Sequence, residues 1–295
     1  MDNTAPLVSV IIPSYNRRDS IAASVESVLR QSFSRLEVIV VDDGSDDGTE
    51  ELFAGASDGR VRFFRYEGNR GACHARNYGA ERASGALIAF QDSDDIWHAD
   101  KLEKQLAFME RTGADFVFCG INRVSAGGRE YFYPVSGFDN GGDALGQFLL
   151  ENRAGTQTML MKRAVWESVR FDESFKRYQD WDFALRVAAR WRMAFLNEAL
   201  VDSRVSGSSI SASVSAYPAL CHLLEKHREE FDSRPECLAR LYRRMGNRLL
   251  ETEPAKAQGY YFRAFRLEKT AGALLFCLSG PPRALLAKIR KGRIK

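Results

Sequence analysis

Leu7-Val-Ser-Val-Ile-Ile-Pro-Ser-Tyr-Asn16 and Leu36-Glu-Val-Ile-Val-Val-Asp-Asp-Gly-Ser45 carry the reading of the fold. Each is a short, β-branched apolar run that stops at turn-forming polar residues, the pattern of a strand covered on both faces. Between them Ile21, Val25, Val28 and Leu29 recur at helical spacing, so the whole segment reads as a βαβ unit. The rhythm goes on: a helix after Asp46-Asp47-Gly48-Thr49, a strand at Val61–Tyr66, a helix over Ala72–Ala83 and a strand at Ala86–Gln91. Regular alternation predicts an α/β fold on a mainly parallel, doubly wound sheet.

Further along, the pattern predicts a helix over Ala99–Arg111 and a strand at Phe116–Ile121, and Ser125–Gly142 reads as loop. A second block holds Met159-Leu-Met161, a helix over Asp180–Arg192 and a strand over Ala194–Val201. From Tyr217 only helix signals follow, broken near Pro235, Pro254 and Pro281-Pro282. This end reads as a separate helical region.

The 295 residues are 45% hydrophobic and 27% charged, the make-up of an ordinary globular chain and neither fibrous nor disordered. A net charge of +3 gives no sign of nucleic-acid binding. The basic charge is unevenly placed, with five basic residues and no acidic one in Lys288–Lys295. Cys73, Cys119, Cys221, Cys237 and Cys277 are odd in number and form no C-x-x-C pair, which argues against a disulfide framework or zinc site and for a reducing cytosol. The first apolar run lacks the form of a signal peptide. Ala271–Ser279 is far shorter than the roughly 20 residues that cross a bilayer, so no transmembrane helix is expected.

In an open parallel sheet, ligands bind beyond the carboxyl ends of the strands. Three polar clusters fall there: Pro13-Ser14-Tyr15-Asn16, Asp42-Asp43-Gly44-Ser45 and Asp92-Ser93-Asp94-Asp95. Crowded carboxylates repel one another unless a cation or hydrogen bonds compensate. Magnesium and manganese take one or two carboxylates, with phosphate oxygens and water completing the shell. The competing reading makes these aspartates helix caps and a solvated turn. Asp42–Thr49 reads mostly as a turn with an N-cap, lacks the spacing of a calcium loop, and follows a strand without the Gly-rich dinucleotide fingerprint. Tyr15 is placed to stack on a planar base or simply to sit at the surface. Arg76 enters a helix, where it reaches a phosphate or makes a surface ion pair. His74 and His98 read as structural. Asp180 and Asp182 open a helix, as caps or as the base that a transfer onto a hydroxyl requires.

In order, Val8–Arg17, Glu26–Gln31, Val40–Thr49, Asn69–Asn77, Asp92–Asp95 and Gln179–Asp182 resemble the family 2 glycosyltransferases of the GT-A fold, over Val8–Ser211. The resemblance implies that Pro13, Tyr15, Asp42 or Asp43, and Arg76 hold the nucleotide. It implies that Asp92, Ser93 and Asp94 meet metal and diphosphate, with Asp94 and Asp92 ligating Mn2+ or Mg2+. By the same carry-over Asp180 looks like the catalytic base, with Asp182 as its alternative. The implied reaction is inverting transfer from a nucleotide-sugar, a UDP-sugar by family preference, to a hydroxyl of a glycan or lipid-linked glycan in bacterial surface polysaccharide synthesis. The domains expected are a catalytic domain 1–212, with a nucleotide-binding half 1–121 and an acceptor half 122–212, and a helical region 213–295.

Two departures stand out. Gln179 replaces a carboxylate that usually precedes the base, and Ser206 of Arg204-Val205-Ser206 falls where many members carry histidine. Arg283, Lys288, Arg290, Lys291, Arg293 and Lys295 alternate with Leu285, Leu286 and Ile289. Such a tail lies on an anionic membrane or packs as a helix with a solvated basic end. The expected location is the cytoplasm, either free or peripheral at the inner face of the membrane. A non-catalytic nucleotide-sugar-binding or partner-binding module on the same fold is the alternative. Nucleotidyl transfer fits less well, because Pro13-Ser14-Tyr15-Asn16 is not a Gly-rich basic loop.

Overall fold

The computed structural model describes residues 7–55, 58–125, 128–133, 137–204 and 215–269. Its first strands are β1 (Val8–Ser14) and β2 (Leu36–Asp42), parallel from Val8↔Leu36 to Ser14↔Asp42. Both are buried along their length because helices cover both faces. Ile21, Val25 and Val28 of α1 (Arg18–Leu29) join Val8, Val10, Ile12, Val38 and Val40 in one core. On the opposite face α2 (Ala72–Glu81) approaches so closely that a Cβ on Gly79 would meet Ile11 Cγ2 at 2.7 Å and Val41 Cγ2 at 2.9 Å.

The remaining strands are β3 (Val61–Arg65), β4 (Leu87–Phe90), β5 (Asp95–Trp97), β6 (Phe116–Ser125), β7 (Gly128–Tyr133), β8 (Leu160–Lys162) and β9 (Met193–Arg204). The sheet order is β3-β2-β1-β4-β8-β6-β9-β5, with β7 added on β6. From β3 to β4 every pairing is parallel. Beyond β4 the sheet is mixed: β8 is antiparallel to β4 and β6, β9 is parallel to β6, and β5 is antiparallel to β9. The stretch Ser125–Gly142, read as loop, contains β7, which gains its strand form by antiparallel pairing with β6. The helix expected after Asp46–Thr49 is only a 3₁₀ turn, Thr49–Leu52, entered through Gly48 at φ 79°.

The other helices are α3 (Lys101–Thr112), α4 (Ala144–Leu150), α5 (Arg163–Val169), α6 (Gln179–Ala188), α7 (Ala216–Lys226), α8 (Arg228–Asp232), α9 (Pro235–Leu249) and α10 (Pro254–Glu268). The chain divides into two compact units. One comprises Met1–Ala144, Asn152–Ser174 and Gln179–Ser209; the other comprises Leu145–Glu151, Phe175–Tyr178 and Ile210–Lys295. In the second unit the two prolines read as breaks open α9 and α10, where a missing N–H costs no helix bond. Leu249, Ala257 and Tyr261 make a small core there, and Tyr261 donates to Asn247 Oδ1 at 2.9 Å. No helix among the described residues is long and apolar enough to cross a membrane. Ser206, Ala271–Ser279, Pro281-Pro282 and the basic tail lie outside the described residues.

Candidate active site

Because β2, β1 and β4 run parallel side by side, the three polar clusters that follow them share one rim of the first unit. Pro13 is paired with Val41 and buried, while Tyr15 emerges with 42% exposure. Asn16 has φ 51°, a left-handed conformation that asparagine tolerates better than most residues. Its backbone N–H donates to Ser45 Oγ at 2.8 Å and its side-chain oxygen accepts from Asp46 N at 3.0 Å, locking the first cluster onto the second. Asp42 is fully buried, accepts from Ser45 and lies 3.5 Å from Arg65 Nε. Asp43 accepts the N–H groups of Arg70 at 2.8 Å and Gly71 at 2.7 Å, fixing the loop that opens α2. Gly44, at φ 80°, lets this loop close in, since a Cβ there would sit 2.9 Å from Gly68 N.

The third cluster begins where Gln91 N donates to Ile11 O at 3.0 Å, extending the β1–β4 ladder to the edge of the rim. Arg76, held on α2 and only 3% exposed, donates from Nη2 to Asp92 Oδ1 at 2.8 Å. Its Nε and Nη1 are buried without a partner. Unpaired buried donors of a charged group are expensive, and an anion beside them would offset that cost. Arg17 Nη2 lies 3.8 Å from Asp94 Oδ2. Ser93 is buried within the turn. Burial first, then the charge of Asp92, raises the Asp94 carboxyl above its ordinary range, with Arg17 opposing. Burial, then Asp92 and Asp94, raises Asp95 further, against hydrogen bonds from Ser203 and Gln157.

Negative charge at this turn therefore exceeds what its arginines neutralise, and a divalent cation would relieve it. The residues fit such an ion. Among the described residues no three His, Cys, Asp or Glu side chains enclose an ion by themselves; a magnesium or manganese shell can instead take one or two carboxylates plus ligand oxygens.

Asp180 comes from α6, far along the chain. Its Oδ2 accepts from Asn152 Nδ2 at 2.8 Å and its Oδ1 from Trp181 N at 2.9 Å. Burial raises its carboxyl; Asn152, Trp181 N–H and the Arg76 charge pull it down, and the Asp92 charge pushes it up. The Asp180 carboxyl thus feels the charges of both Arg76 and Asp92. Asp182 does not join them. Residues two apart on a helix point to different faces, and Asp182 is fully buried in an ion pair with Arg186, at 2.6 Å to Nη2 and 3.0 Å to Nε. Arg186 also donates to the carbonyls of Val169 and Arg170, so this pair anchors the start of the loop before α6.

Arg17, Asn152, Gln157 and Ser203 gave no separable signal in the sequence. Their roles come from pairing and packing: Ser203 meets Asp95 because β9 pairs with β5 there. His74 pairs with Glu173 at 3.1 Å, and His98 with Asp202 at 3.1 Å.

A half-parallel, half-mixed sheet with this acidic rim has the GT-A architecture of the nucleotide-diphospho-sugar transferases. The chain belongs to glycosyl transferase family 2, whose family model matches residues 9–169, more than half of it; it is a glycosyltransferase. A Bacillus subtilis protein described as a teichuronic acid biosynthesis glycosyltransferase, TuaG, is 37% identical over 217 residues, covering 72% of this chain and 84% of its own. The Escherichia coli UDP-Glc:alpha-D-GlcNAc-diphosphoundecaprenol beta-1,3-glucosyltransferase WfgD is 45% identical over 112 residues, 38% of this chain and 44% of its own. In fold, the chain is similar to S. aureus TarS residues 1–349 in complex with UDP-GlcNAc, with TM-score 0.70, 18% identity, and coverage of 97% of this chain and 92% of that one. It is also similar to the mannosyltransferase PcManGT of Pyrobaculum calidifontis in complex with GDP-Man and Mn2+, with TM-score 0.63, 18% identity, and coverage of 96% and 81%.

Proposed function

We propose that this glycosyltransferase moves a sugar from a UDP-sugar to a hydroxyl of a lipid-linked glycan in bacterial surface polysaccharide synthesis, with inversion, in a catalytic domain spanning 1–212. The observation that carries the reading is that the Asp180 carboxyl, from a distant part of the chain, feels the charges of Arg76 and Asp92. One region suits a leaving diphosphate, and the other suits removal of the acceptor's proton.

In this reading Pro13 and Tyr15 border the nucleotide base, and Asp42 and Asp43 shape and line its loop. Ser93 and Arg76 meet the diphosphate, the latter through its unpaired Nε and Nη1. Asp92 and Asp94 would hold Mn2+ or Mg2+, which when bound offsets the charge of the departing diphosphate. Asp180 takes the proton from the acceptor hydroxyl as that oxygen attacks the anomeric carbon, and one displacement inverts the configuration. Asp182 supports α6 through Arg186. The donor and acceptor classes are supported by WfgD, whose name gives both UDP-Glc and a diphosphoundecaprenol acceptor. PcManGT, bound to GDP-Man and Mn2+, supports the metal. For the helical region 213–295 we propose peripheral contact with the inner face of the membrane through its basic tail.

The test is a panel of nucleotide-sugars with a diphosphate-linked polyprenyl glycan, reading nucleoside diphosphate release and anomeric configuration. Metal-dependent release from one UDP-sugar and an inverted product are expected. Binding without turnover of any donor would favour the non-catalytic module.

A further inference from the structure

We propose that the segment Asn152–Thr158 is a template setting the base against the acidic turn, with Asn152 as a positioning residue for sugar transfer. This rests on the reading of Asp180 as base. Asn152 donates to Asp180 Oδ2 at 2.8 Å while Trp181 N–H holds Oδ1, so both carboxylate oxygens are oriented. Five residues on, the Gln157 backbone carbonyl accepts the Trp97 indole N–H at 3.0 Å. The segment thereby holds the last residue of β5, the strand that follows Asp92-Ser93-Asp94.

The segment is built to hold its shape. Thr158 N and Oγ1 both donate to Gly155 O, at 2.9 and 2.7 Å, and Met159 N donates to Thr156 O at 3.2 Å. Gln105 of α3 donates to Thr158 O at 2.8 Å. A Cβ on Gly155 would lie 2.6 Å from Gln157 Oε1 and 3.1 Å from Ile121 Cδ1, so close packing fixes the middle of the segment. Five residues of chain reach no further than about 17 Å. The template therefore limits how far base and acidic turn can separate, a distance on which in-line attack depends steeply.

The charged groups facing Asp180 besides this amide are Arg76 on α2 and Asp92 after β4. With them unchanged, Asn152→Ala removes a donor to the ionised carboxylate. The expected result is a fall in kcat of about tenfold from the misoriented base, KM for the donor unchanged within twofold, and an acid limb of kcat moved to higher pH. In an Asp180→Asn background, Asn152→Ala should add no further loss. Asn152→Asp, of nearly equal size, replaces the donor and covers the case in which the alanine variant fails to fold; melting curves accompany every variant. Wild-type kcat and pH profile in both Asn152 variants, with Asp180→Asn inactive, would overturn the proposal. Full transfer by Asp180→Asn would instead defeat the base reading itself.

Discussion

Asp94, Asp180 and Asp182 are all aspartates, yet their surroundings make three different failures expected. Asp94→Ala removes a carboxylate already strained by Asp92, and manganese-dependent binding of a nucleotide-sugar should be lost; an unchanged calorimetric titration would count against its role. Asp180→Asn keeps the shape but no longer accepts a proton. Transfer should fall by about 10²–10⁴ while donor binding persists. The Asp180 carboxyl is raised by burial, so it gains a proton at higher pH than a free aspartate, and kcat should decline as pH falls through a value above the ordinary ~3.9. Asp182→Ala leaves the Arg186 guanidinium beside an emptied site. Breaking a buried pair costs about 3 kcal/mol, the low end because Arg186 is partly exposed, so the melting temperature should drop while folded protein keeps its turnover. The sequence showed two carboxylates at a helix start but could not separate their tasks, since the i, i+2 spacing matters only once the helix has neighbours.

Within α3, Lys101 is fully buried, donates to Gln105 Oε1 at 2.7 Å and sits 3.6 Å from the Trp97 ring centroid. Burial lowers its ammonium to about 8, slightly opposed by Cys119. In the unfolded chain it titrates near 10.4. Between those values the unfolded state binds the extra proton, so stability rises with pH across this window, and the penalty of burying the cation is fully present below pH 8. Lys101→Met should therefore be more stable at pH 7, by at most about 3 kcal/mol less whatever the indole contact contributes. The gain should shrink by pH 10, as read from urea unfolding at both values. A variant less stable than wild type at pH 7 would show that the ring and amide outweigh desolvation. The elements here divide by how their stability arises. β1, α1 and β2 were legible because each carries enough apolar periodicity to declare itself. Asp95–Trp97 is three residues long and begins with an aspartate, and β7 lies in a stretch with no clear alternation. Both are strands because a neighbouring strand supplies their hydrogen bonds, a term absent from any local pattern. The antiparallel insertion of β8 beside β4 is illegible for the same reason.

Across the whole chain, charge is nearly balanced, at +3, while six basic residues lie in 283–295 with no acid among them. Near an anionic bilayer each basic residue adds about 1 kcal/mol before losses from ordering the tail. Leu285, Leu286 and Ile289 add apolar area at about 25 cal/mol per Å² buried. Neither contribution anchors a protein irreversibly; under the proposed function, together they would favour reversible residence beside the acceptor's membrane. The full chain should float with vesicles containing phosphatidylglycerol and much less with neutral phosphatidylcholine vesicles. Raising salt from 0.1 to 1 M shortens the screening length from about 10 Å to 3 Å, and should release it. Removing residues 271–295 should abolish flotation and raise KM for a polyprenyl-linked acceptor in vesicles, yet leave KM for the nucleotide-sugar as it was, because the acidic rim and Asp180 lie in the other compact unit. Equal flotation of the shortened and full chains would remove the tail from the account of how this enzyme meets its acceptor.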